Sequence, residues 1–284
     1  MTTELMEKIQ TAQAEFEPQL KKLAAVVAAL KAAGKLAAEE KPEALTMHKV
    51  LGKLQEVARP LANPNLSQAV TAFATATEKA LESLAFEFAS DLRTTFEKRG
   101  ESVTGRPPTL VVGMFVLQMD MPGRKAQWFY GKEAISPPIP LSVSGLVSSY
   151  DQQRKLITGR SLNPAGFLAE LYKAGNDLMT ERTRRRLNII EVYAKVVLNR
   201  QNNRFWQAPS KTTMTDYPRP LFVRDMVLLR ESGQTVYPAG DNDQYQLRLA
   251  IATKNQADNP LRSLWLPNGP LDGDYYAEIF FEKV

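Results

Sequence analysis

From residue 67 to residue 99 the side chains of Val70, Phe73, Thr77, Leu81, Leu84, Phe88 and Leu92 recur at steps of 3, 4, 4, 3, 4 and 4. This is an eleven-residue repeat, close to the natural turn of an untwisted α-helix, so the segment reads as one straight helix of roughly 50 Å. Ser67 is a candidate N-cap and Gly100 a left-handed stop. A helix with one apolar stripe has to be laid against something. The candidates are the helices that precede it, a second copy of the chain, or another protein.

Two helices are expected before it. Leu5, Ile9, Ala12, Phe16, Leu20, Leu23, Val27 and Leu30 alternate by 3 and 4, with one extra step of 4 between Phe16 and Leu20. Pro18 falls inside that step, and proline removes a backbone donor and crowds the preceding turn, so a kink or break is expected there. Gly34 and the Glu39-Glu40-Lys41-Pro42 run end the segment, and Met47, Leu51, Leu54 and Val57 mark a second helix over residues 43–58. Residues 1–100 therefore read as a helical bundle or coiled-coil-like arm. A chain of 284 residues that is 44% hydrophobic has enough apolar material for a second domain as well.

Residues 101–108, aperiodic and with two prolines, read as the linker to that domain, which spans 109–284. Residues 110–117 are continuously apolar with β-branched members, as expected of a strand buried on both faces. A turn over 121–125 leads to a partner strand over 126–130. Helices are expected over 142–157, from Asn163-Pro164 onward, over 189–198 and over 221–231, with 206–220 a loop. The tail is β: Leu247, Leu249 and Ile251 alternate, and short strands fit 264–266 and 275–282. The expected class is α+β, a helical N-terminal part followed by a mixed domain with a small, mainly antiparallel sheet.

Chemistry is hard to find in this chain. There is no cysteine, and His48 is the sole histidine, beside Lys49 on a helix flank, so thiolate sites, two-histidine zinc sites and Cys nucleophiles are excluded. No Gly-x-Ser-x-Gly elbow occurs. Gly34-Lys35 and Gly52-Lys53 lack both the glycine-rich loop and the Ser/Thr of a phosphate-binding loop. Asp241, Asp243, Asp272 and Asp274 form two loop pairs that could meet around Mg²⁺, as in a metal-dependent nuclease, although turn capping at strand boundaries is the better account of Asp there. No catalytic residue, metal or cofactor is expected.

Charge is the remaining signal. Residues 151–235 hold 15 Lys/Arg against 8 Asp/Glu, whereas residues 1–100 balance at 13 against 13 and residues 236–284 carry 4 against 7. Arg182, Arg184, Arg185 and Arg186, with Lys195, Arg200 and Arg204, are suited to phosphate oxygens, and Trp206 to stacking on a base. The competing reading has Trp206 in the core and the arginines paired with acids of their own chain. Helix, link, helix, loop, helix and strands resembles a winged-helix module in order alone, because residues 201–220 and 253–275 are too long for its turn and its wing.

These features lead to the expectation of a non-enzymatic accessory subunit that binds DNA or RNA through the basic segment and assembles through residues 1–100, either with other proteins or with itself. The alternative is a protein-interaction subunit that touches no nucleic acid. The first residues carry acids and no basic, apolar leader pattern, and the apolar-rich stretch 23–30 is far short of the ~20 residues of a membrane span. A cytoplasmic, membrane-free protein is expected.

Overall fold

The computed structural model describes residues 2–180, 186–240 and 243–284. It has long helices first and a mixed α/β region with small antiparallel sheets after them. The chain divides into two compact units. One holds the chain up to Leu92 with the short pieces Arg106–Pro108 and Asp120–Lys125, and the other holds Arg93–Gly105, Thr109–Met119 and Ala126–Val284.

The first unit is built from α1 (Thr2–Ala37), α2 (Ala44–Ala58) and most of α3 (Pro64–Glu97). Its core is small: Ala33 and Leu36 of α1 meet Met47, Leu51 and Leu54 of α2 and Phe73 of α3. The α1 helix continues through Pro18 without the expected break. Asn63, not Ser67, caps α3, its Oδ1 accepting from the Leu66 amide at 3.0 Å. Gly100 takes the left-handed conformation foreseen for the stop, at φ 76°. The buried line along α3 also departs from the sequence stripe, passing through Phe73, Thr77, Ala85, Ala89 and Leu92 while Leu84 and Phe88 are only partly covered. The buried Thr77 hydroxyl is satisfied by the Phe73 carbonyl at 2.7 Å.

The second unit opens with a sheet of β1 (Val103–Arg106), β2 (Thr109–Val112), β3 (Phe115–Asp120), β4 (Lys125–Tyr130) and β5 (Glu133–Ala134) in that order, with β6 (Ile139–Pro140) also on β4. The apolar run 110–117 is thus a hairpin and not one strand. Gly113 at φ 58° turns the chain, and Val112 pairs with Phe115 across the turn. Residues 103–106, expected as linker, form the edge strand. Next come α4 (Val143–Ile157), capped by Ser142, and α5 (Pro164–Thr180), whose start Asn163 caps as its sequence predicts. Then follow β7 (Leu187–Asn188), α6 (Ile189–Asn199), α7 (Asn203–Gln207) and α8 (Arg219–Ser232). The tail forms β8 (Val236–Pro238), β9 (Gln244–Ile251), α9 (Lys254–Ala257), β10 (Leu264–Pro267) and β11 (Gly273–Lys283). This second sheet has the antiparallel order β10-β11-β9-β8, with β7 on β11.

Aromatic side chains make the core of this unit. Phe96, Phe115, Trp128, Tyr130 and Tyr150 contact one another edge to face or tilted, with Phe96 and Tyr150 centroids 5.0 Å apart. The Trp128 indole donates to the Leu146 carbonyl at 3.1 Å, so its polar atom is buried without loss. A second group, Phe167, Tyr193, Tyr217 and Phe222, fills the space among α5, α6 and α8. No helix among the described residues is long and apolar enough to cross a membrane.

Candidate interaction surfaces

The basic segment is partly neutralised by its own chain. Arg182, Arg184 and Arg185 lie outside the described residues. Arg186 has its guanidinium 3.6 Å from Glu278 and stacked 4.6 Å over the Phe280 ring. Lys195 stands 3.6 Å from Asp177, and Arg200 binds Glu170 through Nη2 at 2.7 Å and Nε at 2.8 Å. Arg204 is exposed and has no carboxylate partner among the described residues. Beside it Trp206 is 57% exposed, its ring set edge to face against Phe205. The reading that put Trp206 in the core is therefore corrected. A short helix, α7, runs into the start of the expected loop 206–220, because the Asn202 side chain accepts from the Phe205 amide and caps it, and the indole on its last turn faces outward.

Sequence reasoning missed the cluster behind this surface. A cavity of about 740 Å³ is lined by Gln153, Lys155 and Leu156 of α4, by Arg160, by Arg200 at the end of α6, and by Tyr217. Under it lies Asp225, a wholly buried carboxylate on α8. The Tyr217 hydroxyl donates to Asp225 Oδ2 at 2.6 Å, and Arg160 Nη2 comes within 3.3 Å of the same oxygen. Arg200 stacks 3.7 Å over the Tyr217 ring while it binds Glu170. Burial is the main effect on Asp225, raising its pKa against the opposing pull of the Tyr217 hydrogen bond and Arg160. Burial also raises Tyr217, reinforced by the neighbouring carboxylate. The two arginines are thus fixed by internal carboxylates. The cluster ties the α4–α5 connection, α5, α6 and α8 together, and its free face offers an anion two oriented guanidiniums of reduced net charge. A signal for it stood in the sequence: Asp225 interrupts the apolar run Phe222, Val223, Met226, Val227 and Leu229.

Asp243 and Asp274 of the tail each have a separate partner. Asp243 pairs with Lys283 at 2.6 Å, Asp274 accepts from Asn268 at 3.2 Å, and Asp241 lies outside the described residues. No group of three or more His, Asp or Glu that could hold a metal ion occurs among the described residues. His48 is exposed on α2.

An exposed apolar surface belongs to the first unit. Leu5, Ile9, Phe16, Leu20, Leu23 and Val27 of α1 are 50–69% exposed. Only from Val26 onward does the helix begin to bury side chains. No protein-family model, curated protein or solved structure matches the chain.

Proposed function

We propose that this chain is a non-enzymatic interaction subunit that assembles through the apolar seam of α1. One observation carries the reading: six large apolar side chains in helical register stand half to two-thirds exposed on a single face. Leaving a side chain of this kind in water forgoes roughly 1.5–3 kcal/mol of burial free energy, so a run of them on one face marks a contact surface. Replacing Ile9, Phe16 and Leu20 together by Ser tests it. These side chains lie outside the core, so the variant should fold with an unchanged circular dichroism spectrum while losing nuclease-resistant protein contacts in a pull-down and any self-association in light scattering. Unchanged assembly in both measurements would refute the reading.

A second reading, contact of the second unit with nucleic acid, is favoured by Trp206 and Arg204. Both are exposed on α7, where an indole can stack on a base and a guanidinium can meet phosphate. Of the three tryptophans, Trp128 and Trp265 are buried, so fluorescence changes on adding a single-stranded oligonucleotide report on Trp206. Binding of this kind weakens steeply with salt and is removed by Arg204→Glu, which leaves the Trp206 reporter in place. No quenching at low salt would end it.

A further inference from the structure

We propose that two copies of the chain pair through α1 as an antiparallel, two-fold symmetric helix dimer with Phe16 at the axis. This rests on the assembly reading above and names its partner as a second copy. Leu5, Ile9, Ala12, Phe16, Leu20, Leu23 and Val27 are separated by 4, 3, 4, 4, 3 and 4 residues, a series that reads the same in both directions. A reversed copy centred on Phe16 therefore sets Leu5 opposite Val27, Ile9 opposite Leu23, Ala12 opposite Leu20 and Phe16 opposite itself. Every layer is apolar against apolar, and small Ala12 faces larger Leu20, so side chains can interdigitate. Pro18 lies about 200° around the helix from Phe16, on the back of the seam, where its missing donor does not disturb the contact.

Charge selects the orientation. Residues 2–17 hold Glu4, Glu7, Glu15 and Glu17 against Lys8, whereas residues 18–37 hold Lys21, Lys22, Lys31 and Lys35 and no acid. A parallel pair would lay the acidic halves together and the basic halves together. The reversed pair lays each acidic half beside a basic one, within about one Debye length. At the C-terminal end of the seam a groove of about 510 Å³ opens among Leu23, Val26 and Leu30 of α1 and Leu61, Leu66 and Ala69. The antiparallel register sets the N-terminal end of the partner's α1 beside that groove.

The overlap of residues 5–27 is roughly 33 Å long. That corresponds to an interface at the lower end of the usual range, where about 800 Å² per partner is standard, so the dimer should be concentration-dependent. One cost is built in: the symmetry places Glu15 near its own copy, and Glu17 likewise.

The chain has no cysteine, so single-cysteine variants report geometry without background. At about 100 µM chain, where an interface of this size class should close, light scattering should give twice the monomer mass of 31.7 kDa. Under mild oxidation Phe16→Cys should cross-link to itself nearly completely. Leu5→Cys alone and Val27→Cys alone should give less than about a tenth of that yield, yet a mixture of the two should form the heterodisulfide. Glu15→Gln should tighten the dimer roughly two- to five-fold by removing the like-charge contact. A monomeric mass with no Phe16→Cys product overturns the pairing, and so do equal homodisulfide yields at all three positions, the signature of a parallel dimer. Either failure leaves the assembly reading standing if the triple-Ser variant still loses protein contacts, so the two ideas fail separately.

Discussion

The second unit and the first half of α1 use the same kinds of side chain to opposite ends. In the second unit Phe96, Phe115, Trp128 and Tyr130 are all but completely buried, and their polar neighbours, such as the Leu146 carbonyl, accept what they donate. In α1 Phe16 and Leu20 occupy positions of equal regularity and face water. Helical periodicity thus specifies that a face exists, and burial requires that something of matching shape arrives on it. The second unit brings its own partners from distant stretches of sequence. The early part of α1 does not.

The sharpest way to break this contrast is truncation of one aromatic residue from each region. Trp128→Ala should cost about 3–5 kcal/mol in chemical denaturation, because it empties a closed aromatic cluster. A cost under about 1 kcal/mol would mean that the cluster is loosely held. A smaller effect is expected at Gly131, which has φ 60° and where an added Cβ would collide with Cζ3 of the buried Trp265. Gly131→Ala should cost about 1–3 kcal/mol from backbone strain and displacement of the ring.

The buried carboxylate adds a dependence on pH. Asp225 titrates above its ordinary 3.8 because burial disfavours the charged form. The folded state then holds a proton that the unfolded chain has released, so this contribution is fully present below the ordinary value and is lost as pH rises through the raised one. Asp225→Asn should flatten that decline in a series of denaturation curves starting near pH 4, and an unchanged slope would contradict the assignment. Removing the α3 cap by Asn63→Ala should cost about 1 kcal/mol. Smallest of all, Phe16→Ala should change the stability of dilute, monomeric protein by less than about 0.5 kcal/mol. A larger loss would show that α1 already has a partner within its own chain.

Much of the architecture was legible because local rules suffice for it. The three long helices, the Asn163 cap and the left-handed Gly100 all follow from nearest-neighbour chemistry, whereas the expected alternation of β9 does not hold to its end, since Leu247 is buried and Ile251 is exposed. The hairpin within 110–117 escaped because Gly113 hides its turn inside an apolar run. The departure of the α3 line towards Ala85 and Ala89 escaped because small side chains are buried where backbones come close, which no stripe of large residues reveals. The basic segment was visible as composition, but its pairing was not. Glu170, Asp177 and Glu278 are distant in sequence from the cations they bind, and only tertiary structure brings them together. The Asp225 cluster was hidden for the same reason, though a lone acid on an apolar helix face pointed to its anchor.

Every described side chain from residue 3 to residue 25 is exposed, so this stretch contributes reach without contributing to the hydrophobic core. Such a segment is a ruler whose graduations are turns of helix. Seven residues inserted or deleted there would change its length by about 10 Å and leave every core contact untouched. The spacing between whatever the arm holds and the body that carries it can therefore drift in evolution, or be set by an engineer, independently of whether the protein folds.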